Sequence, residues 1–373
     1  MTKINYFIEK YLPVKRSKKF LIFVCLFQLI YISTKLIKGF ASGHLFWDLK
    51  VYQEAAKVIE LGLSPYKVKV GELFYFYPPV ASIFLPFFFK ISEYTIPFLN
   101  FIFIILLSCW CGQESKLKNK KLAFIFFFLL LLAPLKSWGI KSFITGNISF
   151  TLYLFTIIPI LFWRKELTTK KEINVEKIFT LTLILIASFF KPYFLVYLTI
   201  YLFNKNNSTR FLFALGLLIY TSITLSPPFG QQISHWLGAM KGHTQNFSND
   251  IGKAFLSTIF RTFNISFFSE RILSLGSSLI NLTLLLLFLV KSKITKKSIW
   301  VYLILCLGAN PRVKIYDLFL LPLYMTMHYL PDINTKSSRN TFLIVMITLR
   351  SVVIWQISAI TLPVTYLLKK YRK

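Results

Sequence analysis

Apolar runs close to the roughly 20 residues that cross a bilayer as helix recur along this chain, separated by short polar segments dense in lysine and arginine. The pattern predicts helical spans over residues 20–40, 94–111, 122–135, 148–163, 211–225, 271–290, 299–309, 316–330 and 341–368. Residues 80–89 are apolar but short, which fits a re-entrant half-helix or a short tilted span. The run over 178–203 is interrupted at Lys191-Pro192. Proline pushes the residue before it out of the helical region, so two short crossings meeting at Lys191 are expected. Together these give roughly ten to twelve spans. Barrel strands are far shorter than such runs, so the expected fold is an all-α integral membrane bundle, one polytopic domain over residues 1–373. No internal repeat is visible, which weighs against transporters built from inverted repeats.

One stretch has a different rhythm. From Asp48 to Leu61, Lys50, Gln53/Glu54, Lys57 and Glu60 form a polar stripe, and Val51, Ala55, Val58 and Ile59 an apolar one. That is the helical period, and Gly62 is placed to end the helix. An amphipathic helix of this kind is expected to lie along the membrane interface. After it, Leu63-Ser64-Pro65-Tyr66 reads as a turn, and Phe74-Tyr75-Phe76-Tyr77-Pro78-Pro79 returns an aromatic segment to the depth where Tyr and Trp collect.

Composition narrows the class. The chain is 55% hydrophobic and 18% aromatic with mean hydropathy +0.60, which excludes a soluble globular protein. The formal net charge of +30 would suggest nucleic acid in a soluble protein. Here the cations fall mainly between apolar runs, as the positive-inside rule requires, so no nucleic-acid partner is expected. The basic N-terminus then faces the cytoplasm, and residues 41–79 and 226–270 become the two long extracytoplasmic segments. Cys25, Cys109, Cys111 and Cys306 lie in or beside apolar runs without metal-site spacing. Neither an Asp-x-Asp nor a P-loop is present, and no metal or other cofactor is expected.

Candidate chemistry centres on Asp48, one of only 14 acidic residues, just past the first span. A carboxylate there is costly unless paired or functional; it fits an N-cap and a general base equally well. Lys136, Lys141, Lys191, Arg312 and Lys314 all fall at extracytoplasmic helix ends, against the positive-inside trend. They suit snorkelling to ordinary phospholipid or a lipid-linked phosphate, with Lys191 and Arg312 each beside a proline-broken end. A sugar on polyprenyl phosphate already has a leaving group whose charge such cations stabilise. One carboxylate then suffices to activate an acceptor hydroxyl, whereas a glycosidase needs two. Tyr52, Tyr77 and Pro78, with His235, Trp236 and Asn249 of the second segment, are the candidates to shape the site and touch the acceptor. For His235 and His243, polar loop packing is the alternative.

Trp47-Asp48, Val51-Tyr52, Ala55-Ala56, Gly62, Pro65-Tyr66 and Phe76-Tyr77-Pro78-Pro79, in that order, resemble the first outer loop of glycosyltransferase family 87. Gly146-Asn147, Lys191-Pro192-Tyr193 and the 236–261 segment follow in the family's order. The resemblance implies a GT-C-type fold and an inverting transferase at the outer face of a bacterial cytoplasmic membrane. Its donor would be a polyprenyl-phosphate sugar and its acceptor a glycolipid or glycan. It further implies Asp48 as catalytic base and Lys191, Arg312, Lys314 and Lys141 around the donor phosphate. Mannose is the sugar of the best-known members. Two departures, Asn147 in place of Gln and Pro311-Arg312-Val313-Lys314 in place of a histidine pair, leave arabinose or another pentose or hexose open. Readings from other classes are a transporter or flippase of lipid-linked saccharides and an O-antigen-type polymerase.

Overall fold

The computed structural model describes residues 16–41, 47–71, 73–92, 94–115, 117, 119–132, 147–168, 172–203, 206–246, 256, 260, 270–292, 294–295, 298–310, 319–329 and 352–371. They are overwhelmingly helical. Four helices are long and apolar enough to cross a membrane by length and composition, at Phe20–Lys38, Thr95–Glu114, Asn207–Leu225 and Ile272–Lys291. Five shorter apolar helices accompany them, Pro79–Lys90, Ile148–Phe162, Pro192–Leu202, Ser298–Gly308 and Ile357–Lys369. The first long helix, α1 (Arg16–Ala41), turns Phe23, Ile30 and Ile37 outward. Large apolar side chains facing out along a spanning-length helix suit a lipid surround.

The amphipathic stretch is helix α2 (Trp47–Glu60). Its end is a Schellman motif: Leu63 N–H donates to Val58 O at 3.0 Å and Gly62 N–H to Ile59 O at 2.9 Å. This needs a left-handed residue, and Gly62 supplies it at φ 71°. The apolar face, Leu49, Val51, Tyr52, Ala55 and Ala56, is buried, while Lys50, Glu54, Lys57 and Glu60 are exposed. The apolar stripe is thus covered by protein: α2 packs on the 3₁₀ turn Pro65–Lys67, on a small hairpin (β1 Lys69–Val70, β2 Leu73–Phe74) and on α3 (Phe84–Ile91). The segment over 80–89 enters as a 3₁₀ turn, Pro79–Ile83, before becoming α3.

Two antiparallel neighbours follow, α4 (Thr95–Glu114) and α5 (Lys120–Leu132), then α6 (Ile148–Phe162) and the short α7 (Arg164–Thr168). Every residue of α6 from Ile148 to Leu161 is buried, the signature of a helix that is apolar all round. Helix α8 (Val175–Phe190) stops at Lys191, and the chain continues as a 3₁₀ segment, Pro192–Leu202, packed back against it. The break at Lys191-Pro192 is therefore present as the sequence predicts. Behind it stand α9 (Asn207–Leu225), α10 (Pro227–Asn246), α11 (Glu270–Lys291), α12 (Ser298–Gly308), α13 (Leu320–Tyr329) and α14 (Val352–Tyr371). Helix α12 is, like α6, buried along nearly its whole length.

Hydrogen bonds between elements lock the core. Thr151 donates to Asn100 Oδ1 at 2.6 Å, joining α6 to α4. Tyr302 of α12 donates to Tyr197 O at 2.9 Å. Gly216 of α9 lies where a methyl group would come within 3.0 Å of the side-chain ends of Leu181 and Leu198, so a larger residue there would have to push those leucines aside. Helix α10 was not expected: residues 226–270 read as an outer loop, because Pro227-Pro228, Gly230 and the polar residues after them mask its helical period.

Candidate active site

The N-terminus of α6 brings the two principal candidates together. Asn147 is the N-cap of α6: its Oδ1 accepts the Ser149 N–H at 2.9 Å. The Nδ2 of the same side chain donates to Asp48 Oδ2 at 2.9 Å, across 99 positions of sequence. Two residues into α6, Ser149 Oγ accepts a short hydrogen bond from Lys191 Nζ. Carboxylate and ammonium thus sit on one short path, Asp48–Asn147–Ser149–Lys191.

Each partner is positioned by its local fold. Helix α2 begins at Trp47, so Asp48 stands in its first turn and not at the cap position. A carboxylate there is favoured by the helix dipole, and its side chain reaches α6 as well. Lys191 is the C-cap of α8, with φ −144° and ψ 103°. That is the extended conformation proline imposes on the residue before it. The ammonium also lies 5.8 Å from the ring centroid of Tyr193. Tyr153 then donates to the Tyr193 hydroxyl at 3.4 Å, and Asn310 Nδ2 to the Tyr153 hydroxyl at 3.3 Å. The path therefore reaches Asn310, just past the end of α12.

The wall over this path is aromatic. Tyr52 and Tyr77 share a hydrogen bond between hydroxyls at 2.9 Å, with rings edge to face at 5.5 Å. Tyr77 also meets Phe190, the last residue of α8, at 5.8 Å. Tyr66 donates to Tyr77 O at 3.1 Å. Burial raises the phenols of Tyr66 and Tyr75 well above the usual range, Tyr75 with a further push from Tyr66 and Tyr77, so both stay neutral. Pro78 is buried and precedes the 3₁₀ turn, its carbonyl accepting the Ala81 N–H at 2.9 Å. From α10, Trp236 Nε1 donates to Phe76 O at 2.7 Å and pins the aromatic return.

Of the sequence candidates, Asp48, Lys191, Tyr52, Tyr77, Pro78 and Trp236 gather in this region. His235 does not join them: it is exposed, about 100° around α10 from Trp236. Lys136, Lys141, Asn249, Arg312 and Lys314 lie outside the described residues. The cap reading of Asp48 gives way to a residue inside the first turn. Ser149, Tyr153 and Asn310 are not among the sequence candidates, and Asn147 enters there only as a landmark of the family resemblance. Asn147-Ile148-Ser149 before an apolar run does carry a helix-start signal. Among the described residues no three His, Cys, Asp or Glu side chains come together.

Set against protein-family models, curated proteins and solved structures, the chain matches none of them.

Proposed function

We propose that the protein is a GT-C-type membrane glycosyltransferase that moves a sugar from a polyprenyl-phosphate donor to a hydroxyl of a glycolipid or glycan. The observation that carries this reading is the short path joining the Asp48 carboxylate to the Lys191 ammonium through Asn147 and Ser149. The resemblance of the first loop to glycosyltransferase family 87 points the same way.

In this reading Asp48 takes the proton of the acceptor hydroxyl as its oxygen attacks the anomeric carbon. The bond from that carbon to the phosphate oxygen breaks, the electron pair leaves with the phosphate, and configuration inverts. Lys191 stabilises the charge that develops there. The paired hydroxyls of Tyr52 and Tyr77 are placed to hydrogen-bond a sugar. The site would face the outer side of a bacterial cytoplasmic membrane, with mannose the first sugar to try.

Incubating the purified protein with labelled polyprenyl-phosphate sugars and extracted glycolipids tests the reading. Transfer is expected, and Asp48→Asn should lower turnover by at least about 100-fold while donor binding persists. Undiminished product from Asp48→Asn protein would overturn it.

A further inference from the structure

Asn147 makes two hydrogen bonds that together fix which way its amide points. The Ser149 N–H can only donate, so the atom facing it must be the carbonyl Oδ1. An ionised carboxylate can only accept, so the atom facing Asp48 Oδ2 must be the amino Nδ2. The two demands agree, and flipping the amide would break both contacts at once. The cap of α6, itself set by the helix start, therefore aims an N–H at the carboxylate of a different element, α2.

We infer that Asn147 is a positioning residue for Asp48, an inference that rests on the glycosyltransferase reading. Holding Oδ2 fixes the rotation of the carboxylate about its Cβ–Cγ bond, and so the direction in which it meets an acceptor hydroxyl. A neutral amide donor also favours the ionised form of the carboxylate without placing a full positive charge against it, which would weaken it as a base. Because Ser149 carries the Lys191 ammonium two residues on, one helix start sets both the base and the cation. Other titratable groups on α2, α6 and the elements packed against them include Lys191 by way of Ser149, Tyr52, Tyr77, Tyr153 and Tyr193 beside the site, buried Tyr66 and Tyr75, and exposed Lys50, Glu54, Lys57, Glu60, Lys67, Lys69 and Lys90. All are common to the variants below, so differences between variants report on position 147.

Substitution separates the cap from the contact with Asp48. Asn147→Ser and Asn147→Asp both keep an oxygen that can cap α6, and both lose the N–H aimed at Asp48. Asn147→Ser should fold with near-unchanged thermal stability, lower kcat by up to about 100-fold and move the acid limb of the pH–rate profile to higher pH. Asn147→Asp, setting a second carboxylate against the first, should move it further. In parallel, isotope-edited infrared spectroscopy follows the Asp48 carboxyl through a pH titration, identified by its loss in Asp48→Asn. Its midpoint should rise in the order Asn147, Ser, Asp. Should the unaltered protein transfer no sugar, the glycosyltransferase reading fails, and the infrared titration alone still decides whether Asn147 governs Asp48. An Asn147→Ser protein with the parental infrared midpoint and, where transfer is seen, the parental kcat would overturn the inference.

Discussion

The two ends of α8 solve the same problem, a lysine at a helix terminus among apolar neighbours, in opposite ways. At the start, Lys177 is wholly buried and its ammonium donates to a backbone carbonyl, Glu172 O, at 2.5 Å. Tyr201 returns the favour by donating to Lys177 O at 2.6 Å. Nearby, Lys120 donates to the carbonyls of Gln113 and Ser115. Arg164 is held differently, standing over Trp110 and 3.5 Å from Glu114. At the far end, Lys191 bonds a side chain, and so do Asp48, Tyr52, Tyr153 and Asn310. Bonds between side chains are a small minority in folded proteins, because each side chain sacrifices rotamer freedom to make one. Backbone ties hold a loop in one place, whereas side-chain pairs can exchange partners when a ligand arrives. On the proposed function, the Lys191 end is the working end.

Replacing each lysine by methionine, which keeps the length and removes the charge, tests that contrast most strongly. Lys191→Met should lower sugar transfer by about 100- to 1,000-fold, with thermal stability in detergent falling by only about 1 kcal/mol as the buried Ser149 hydroxyl loses its partner. Lys177→Met should spare transfer and act on stability. It removes the hydrogen bond to the carbonyl of exposed Glu172 at a cost of about 0.5–1.5 kcal/mol and leaves transfer per folded molecule unchanged. If Lys177→Met abolished transfer in protein of normal stability, the division between a tied end and a working end would collapse.

How much of this was legible differs between the same two regions. The break at Lys191 could be read because its cause is local: a proline dictates the backbone of the residue before it. Helix α2 could be read because one face is polar and the other apolar, and Gly62 closes it. Helices α6 and α12 are apolar on every side, so their period says nothing of which face meets lipid and which meets protein. Their burial had to come from the fold. The Asn147–Asp48 contact spans 99 positions, and no short-range pattern encodes such a meeting. Trp236 was noticed as a residue, but its support of Phe76 depends on α10, whose opening prolines and glycine hid the helix. Local chemistry was therefore visible, and its assembly was not.

The smallest effects fall within the aromatic wall, where two tyrosines two positions apart have unlike roles. Tyr77 shares a hydrogen bond with Tyr52 and edges against Phe190. Tyr77→Phe should therefore cost about 1 kcal/mol of stability and weaken acceptor use, read as a rise in KM. Tyr75 is 1% exposed, packed among the rings of Tyr66 and Tyr77, and its hydroxyl has no hydrogen-bond partner among the described residues. A buried hydroxyl without a partner has lost its water and gained nothing in return. Deleting it removes that penalty and leaves the ring packing intact, so Tyr75→Phe should raise stability by about 1 kcal/mol or less and leave KM alone. A loss of stability in Tyr75→Phe would mean that this hydroxyl is engaged and that the wall is polar through its full depth. A gain confines the polar chemistry to the face that Tyr52 and Tyr77 share with Asp48.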